Sequence, residues 1–245
     1  MTTRTAQTSP LIYARFAAVL YLIPFAPFSL VYVPSALIVP GDAAATASKI
    51  MASESLFRLG IASNLLSQIC FVFVSLLLYQ LFKPVNKNVA ALMVILNLLG
   101  VPIVMFNELN RLAVLFVLGN THLTVFTPDQ THALVSLFLN LHALGLNIAG
   151  IFWGLWLFPM GYLVFKSGFL PRILGILLMI GCFGYLIQSS AAFLFPNLDV
   201  SIVLITALAE LFLALWLLIR GVNVERWEQR VRESVVPTLK PSHAS

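Results

Sequence analysis

The chain has 245 residues, of which 60% are apolar and only 9% are charged. A soluble domain carries about 25% charged residues, so this composition excludes a soluble globular protein and indicates that the bilayer is the solvent. Because a spanning helix needs about 20 apolar residues, the length accommodates about six spans and no further soluble domain. We predict an all-α polytopic membrane helix bundle.

Six apolar segments are predicted as the transmembrane helices of one membrane domain. They are residues 11–33, 55–82, 88–118, 131–165, 172–195 and 200–219. The first contains Pro24 and Pro27, for which a simple kink is expected because proline frees backbone carbonyls. Residues 222–245 are predicted to be a cytoplasmic tail that begins as a short amphipathic segment on the membrane surface.

Two helix starts outside the apolar cores carry capping signals. Asp42 precedes a run of good helix formers and is predicted to cap a short helix at the membrane surface. The stretch Thr127-Pro-Asp-Gln130 has the form of a capping box, with proline at the first helical position. It predicts where the fourth span begins.

The net charge of +5 follows from membrane topology. Of the 14 basic residues, 11 fall on one predicted side of the membrane, whereas Lys49 falls on the other and Arg58 and Arg111 fall within spans. By the positive-inside rule, both termini are predicted to be cytoplasmic and the protein to lie in the cell membrane. The basic residues are expected to meet anionic lipid, and no nucleic acid is expected as a partner.

The most unusual stretch is residues 97–111, which places Asn107, Glu108 and Arg111 inside the third predicted span. A charged group in hydrocarbon is costly unless it is paired or hydrated. At 100° per residue these side chains share about a third of the helix circumference, and Glu108 can pair with Arg111 three residues later. The stretch therefore predicts that the third span has a polar face directed into the helix bundle.

Polar residues on the other spans fall mostly at matching depth, at or outside the midplane. The predicted pocket residues are Glu108, Arg111, Asn107, Glu210, Asn64, Gln68, Asn140, His142 and Arg58. The charges in the spans balance, two arginines against two glutamates, and Glu210 is expected to meet an arginine across the bundle. We predict a pocket that faces away from the cytoplasm.

No nucleophile elbow, P-loop, zincin motif or dinucleotide fingerprint occurs in the sequence. His132 and His142 lie about 15 Å apart along one helix, and no pair of acidic residues lies within four residues of either. No metal is therefore predicted. The sequence points to no particular cofactor, catalytic residue or oligomeric state.

Five blocks together resemble the prokaryotic membrane family known as domain of unknown function 4386. They are IVPGDAAATA at 38–47, ESLFRLG at 54–60, LFKPVN at 81–86, LNLHA at 139–143 and SGFLP at 167–171. The likeness extends over about residues 10–222. It implies a single multi-pass bundle in the cell membrane and carries no site residues with it.

The expected function is the binding of a small polar or amphipathic ligand, such as a lipid headgroup, in the polar pocket. One alternative is an intramembrane enzyme, with Glu108 or His142 as acid or base and Arg111 as electrostatic stabiliser. Another is a structural or partner-binding membrane subunit.

Overall fold

The computed structural model describes residues 9–25, 30–119, 125–195 and 203–235. All regular elements in these ranges are helical, which confirms the predicted all-α class. The α-helices are α1 (Pro10–Leu22), α2 (Val33–Ala36), α3 (Ala43–Ala52), α4 (Glu54–Phe82), α5 (Lys87–Gly119), α6 (Pro128–Ser167), α7 (Arg172–Leu194), α8 (Val203–Ile219) and α9 (Val224–Val235). Two short 3-10 segments, Ile23–Phe25 and Leu30–Tyr32, lie between α1 and α2.

Six helices close into a ring. Each of α4, α5, α6 and α7 packs on the next helix along the chain, and α1 packs on both α8 and α4. The ring leaves an interior that every one of these helices borders. This closure brings polar residues that are far apart in sequence to one place.

The outside of the ring is apolar, as expected for a membrane protein. Phe106 and Phe116 of α5 and Ile180 of α7 are 71%, 63% and 61% exposed, whereas Glu108 and Arg111 of α5 are buried. Among the described residues, α4–α7 are long and apolar enough to cross a membrane, and the bent pair Ala207–Ile219 and Val224–Ser234 would make a fifth span. These features support the predicted membrane bundle; the count of six spans stays a prediction.

The first predicted span is wrong as a single helix. It was expected to run from residue 11 to 33, but α1 ends at Leu22 and the chain continues as a 3-10 segment that contains Pro24. Proline lacks the backbone N–H of a helical turn and its ring clashes with the preceding turn. Pro27 lies outside the described residues.

Both capping predictions are confirmed. The Asp42 side chain accepts a hydrogen bond from the Ala45 backbone N–H at the start of α3. At the start of α6, the Thr127 and Gln130 side chains each accept a bond from the other residue's backbone N–H. The caps satisfy N–H groups that have no partner inside their helices.

Two apolar cores lie at opposite ends of the ring. The larger core fills the end predicted to be cytoplasmic, and includes Leu78, Met160 and Leu213. The smaller core packs α3 against the facing ends of α4, α5 and α6 through Ile50, Phe57 and neighbouring residues. The polar interior lies between these two cores.

The helix α9 docks on the turns at the end predicted to be cytoplasmic. Trp227 is 5% exposed and donates through Nε1 to the Leu81 carbonyl at 2.9 Å. Arg226 and Arg230 donate to the Gly168 and Lys166 carbonyls at 2.9 and 3.2 Å, which lie at the C-terminal end of α6. The start of the predicted tail is thus a helix packed on the bundle; residues 236–245 lie outside the described residues.

Replacing Trp227 with alanine is expected to release α9. The loss of a buried tryptophan costs about 3–5 kcal/mol, so cleavage of the purified protein by a glutamyl endopeptidase should become at least about tenfold faster. Arg232→Ala is the control, because Arg232 is exposed and its ion-pair partner among the described residues is Glu228 of the same helix. Equal cleavage rates in the wild type and both variants would contradict the docking.

Candidate functional site

A cavity of about 310 Å³ lies inside the ring, and its lining comes from five of the ring helices, α4 to α8, and from the segment that follows α1. One part of the wall is polar: Ser35, Asn64, Ser67, Gln68, Asn97, Arg111, His142 and Glu210. Another part is aromatic: Tyr32, Phe71, Trp153, Trp156 and Tyr185. The cavity therefore combines hydrogen-bonding and charged groups with broad apolar surfaces.

The strongest polar cluster is centred on Glu108, which is 1% exposed. Its Oε1 accepts from Asn64 Nδ2 on α4 at 2.5 Å and from Arg111 Nη1 one turn later at 3.1 Å. His142 Nε2 on α6 lies 3.1 Å from the same oxygen. One carboxylate thus joins three helices, and the predicted pairing of Glu108 with Arg111 is present.

Arg111 also ties the segment after α1 to the bundle. Its Nη2 donates to Ser35 Oγ on α2 at 3.1 Å, and the side chain is only 5% exposed. The same segment presses on α4, because a Cβ added at Gly60 would lie 2.6 Å from Pro34 Cγ. The absence of a side chain at Gly60 therefore permits the approach that brings Ser35 to the cavity.

Gln68 lies one turn beyond Asn64 on α4 and is 3% exposed. Its Nε2 donates to Asn64 Oδ1 at 3.4 Å, and Asn64 Nδ2 in turn donates to Glu108 Oε1. This chain of donors orients the Gln68 amide. Among the described residues, Gln68 Oε1 is the buried side-chain polar atom that has no hydrogen-bond partner.

Glu210 on α8 does not meet an arginine, so that prediction is wrong. Tyr21 of α1 and Tyr185 of α7 donate their hydroxyls to its two carboxylate oxygens, the latter at 2.9 Å. The carboxylate is 5% exposed and forms no ion pair with any described residue. Two neutral phenols take the place of the expected cation, because α1 and α7 flank α8 in the ring.

Arg58 does not belong to the cavity. It lies on the outer surface of α4 and its Nε donates to Glu54 Oε1 at 2.8 Å, with 57% of its side chain exposed. The helix period explains the error, since Arg58 is not on the face of α4 that carries Asn64 and Gln68. The expected balance of two buried arginines against two glutamates is therefore wrong.

The predicted asparagines divide between the cluster and other places. Asn107 is 8% exposed and donates to the His142 carbonyl at 2.8 Å, which fixes α5 against α6 beside the cluster. Asn97 lines the cavity and donates to the Phe71 carbonyl at 3.0 Å. Asn140 is exposed and faces a separate groove beside Pro40 and Thr46, so its placement in the pocket is wrong.

Sequence reasoning missed Tyr21, Tyr185 and Ser35. Tyrosine and serine are common in apolar spans, and neither carries the cost that draws attention to a buried charge. The sequence feature that could have indicated the two tyrosines was Glu210 itself. A buried carboxylate needs donors, and the phenols of neighbouring helices are donors that remain compatible with hydrocarbon.

The cluster can hold, orient and polarise a small molecule. It offers a guanidinium paired to a carboxylate, an imidazole on the cavity wall and a free amide oxygen. Among the described residues, no three His, Cys, Asp or Glu side chains are grouped as metal ligands. The cluster therefore offers hydrogen bonds and charge to a bound molecule.

A family model extends over nearly the whole of this bundle. The model described as Domain of unknown function (DUF4386) matches residues 16–221. The chain belongs to this family. The matched range contains every polar residue of the cavity wall, from Ser35 to Glu210, so the site is part of the family domain and not of an appended segment.

The chain is also similar to an archaeal protein. An uncharacterized protein of Archaeoglobus fulgidus is 30% identical over 152 residues, which cover 61% of this chain and 76% of that protein. No solved structure matches the chain. The comparisons therefore establish membership of the family.

Proposed function

We propose that the protein binds a small amphipathic ligand within the membrane, in the cavity enclosed by the helix ring. The observation that carries this proposal is the mixed lining: a hydrogen-bonded charged cluster and aromatic side chains border the same space of about 310 Å³. Small-molecule sites are typically cavities of about 300–1,000 Å³ with apolar walls and a few placed polar groups. A bundle that needed only cohesion would fill this space with apolar side chains.

Binding is favoured over passage through the membrane. The larger apolar core closes one end of the ring, and a void between α1, α4 and α8 in that core measures about 10 Å³, about enough for a single water molecule. We place this closed end at the cytoplasm, with six spans, cytoplasmic termini and the cell membrane as location. In that orientation the ligand enters from the outer leaflet or the outer surface.

The test is to fill the cavity from one wall. Ala207 lines the cavity on α8, so Ala207→Phe should occupy the space, whereas Ala62→Phe places the same ring on an exposed position of α4. Each protein is purified in mild detergent and denatured, and the released compounds are identified by mass spectrometry. The wild type and A62F should release the same compound, and A207F should release at least about tenfold less.

Equal release from A207F and the wild type would show that the compound is bound elsewhere. Release of nothing by a monodisperse wild type would also count against the proposal. Thermal unfolding of the three proteins provides the folding control, since A207F must retain a cooperative transition for the comparison to stand.

Catalysis is the second candidate, and one distance favours it. Glu108 Oε1 and His142 Nε2 are 3.1 Å apart and His142 lines the cavity, which is the geometry of a coupled acid and base. If the protein is an enzyme, it will change the mass of the released compound on incubation, and His142→Asn will stop that change while the compound still binds. If the wild type leaves the mass of the compound unchanged, catalysis is excluded for that compound and binding remains the proposed function.

A further inference from the structure

The buried charges of the described bundle do not balance. Glu108 and Arg111 form one pair, and Glu210 is a second buried carboxylate with no cationic partner. An ionised Glu210 would be a buried charge without a counter-ion among the described residues, which is strongly unfavourable. A ligand that carries a positive charge would supply this counter-ion.

The surroundings of Glu210 hold it as an acceptor. A phenol hydrogen is donated to each of its two oxygens, from Tyr21 and Tyr185. These bonds fix the plane of the carboxylate and leave its remaining lone pairs for another donor. The residue also lines the cavity, so a ligand can reach it.

A second acceptor borders the same space. Gln68 is more than nine-tenths buried and lines the cavity, and its Oε1 accepts no hydrogen bond from any described residue. Leaving such an atom unpaired costs free energy. A donor supplied by the ligand would satisfy it.

The aromatic part of the wall suits an organic cation. Phe71, Trp153 and Trp156 line the cavity with Glu210 and Gln68. Aromatic faces attract organic cations and also accept their apolar groups. A positive charge, an N–H donor and an apolar body are therefore the three properties that this wall complements.

We propose that the ligand is an organic amine in its protonated form, with Glu210 as counter-ion and Gln68 as a second acceptor. The inference rests on the proposed function, because it names the ligand class of the same cavity. A free amine and a lipid with a primary amine headgroup share this chemistry.

The experiment compares four probes that share a 2-phenylethyl group: 2-phenylethylammonium, its N,N,N-trimethyl derivative, 2-phenylethanol and 3-phenylpropionate. Binding to the full-length protein in an uncharged detergent is followed by tryptophan fluorescence. Trp153 and Trp156 lie on the cavity wall, so their fluorescence should change when a probe binds. The primary ammonium should bind at least about tenfold more tightly than the alcohol, as expected for a charge-assisted hydrogen bond. The carboxylate should bind most weakly.

Two variants separate the roles of the acceptors. Glu210→Gln should abolish the preference for the cation over the alcohol. Gln68→Leu should weaken the primary ammonium about fivefold, the effect of one hydrogen bond, and leave the trimethyl derivative unchanged because it has no N–H. If E210Q does not fold, the Q68L comparison still tests the proposal.

A short-chain phosphatidylethanolamine is added as a fifth probe to identify the source of the amine. Tighter binding of this lipid than of 2-phenylethylammonium would assign the headgroup, and the reverse order would assign a free amine; both outcomes support the inference. Preference for the alcohol or the carboxylate would overturn it, as would an unchanged preference in E210Q. If A207F abolishes compound release while no cationic probe binds the wild type, the proposed function stands and the amine is wrong.

Discussion

Replacing Glu108 with glutamine is expected to lower the free energy of unfolding by about 3–5 kcal/mol, the usual cost of removing one partner from a buried ion pair. The substitution leaves the Arg111 guanidinium, only 5% exposed, without its carboxylate. It also weakens the acceptor shared by Asn64 and His142. The change is measured by denaturant-driven unfolding in mild detergent.

A double-mutant cycle assigns this loss to the pair. Arg111→Met alone should also be destabilising, and E108Q/R111M should recover much of the loss because no buried charge is then left without a partner. Glu54→Gln is the matched control: Glu54 and Arg58 are likewise joined along one helix, but both side chains are at least 40% exposed. It should cost at most about 1 kcal/mol.

Additive losses in E108Q and R111M would mean that the two charges act independently. A loss in E54Q as large as that in E108Q would mean that burial is not what gives the inner pair its strength. Either result would remove the Glu108 cluster as the organising feature of the interior.

Gly145→Val is expected to separate α5 from α6 beside the same cluster. A Cβ at this position would collide with the whole amide of Asn107, including its Nδ2 at 2.8 Å. Asn107 is short and buried, and must give up its bond to the His142 carbonyl to move. Overpacking and an unpaired buried amide each cost about 1–3 kcal/mol, so the free energy of unfolding should fall by about 2–5 kcal/mol.

Removing the Asn107 side chain should reverse this loss of stability. Gly145→Ala should be costly in the wild type but nearly neutral in an Asn107→Ala background, where the colliding amide is absent. Gly119→Ala is the open control, because nothing lies within 4 Å of a Cβ placed there. Equal costs for G145A with and without Asn107 would contradict the close packing of α5 on α6.

The fold was largely predictable from the sequence because hydrocarbon imposes simple rules. Long apolar segments between charged turns mark helices, and α4–α7 lie close to the predicted spans. Local chemistry also gave reliable starts at Asp42 and Thr127, where the capping side chains act within a few residues. The exception was the first span, where Pro24 ended the helix and did not simply kink it.

The site was only partly predictable, and the reason is the ring closure. Glu108, Arg111 and Asn64 were expected in the pocket for reasons that the sequence contains. These are the free-energy cost of a charged or polar side chain in lipid and the spacing of such residues along a helix. The partners of Glu210 could not be predicted from the chain, since the choice between an arginine and two tyrosines depends on which helices flank α8. Arg58 was misplaced because depth was used without the direction of its side chain.

The most direct test of ligand binding in the cavity is the intact mass of the protein released from detergent micelles under native conditions. The wild type should carry one small molecule per chain, in an adduct that survives mild activation, and A207F should appear at the mass of the bare chain. A bare wild type, or an identical adduct on A207F, would contradict binding in the cavity.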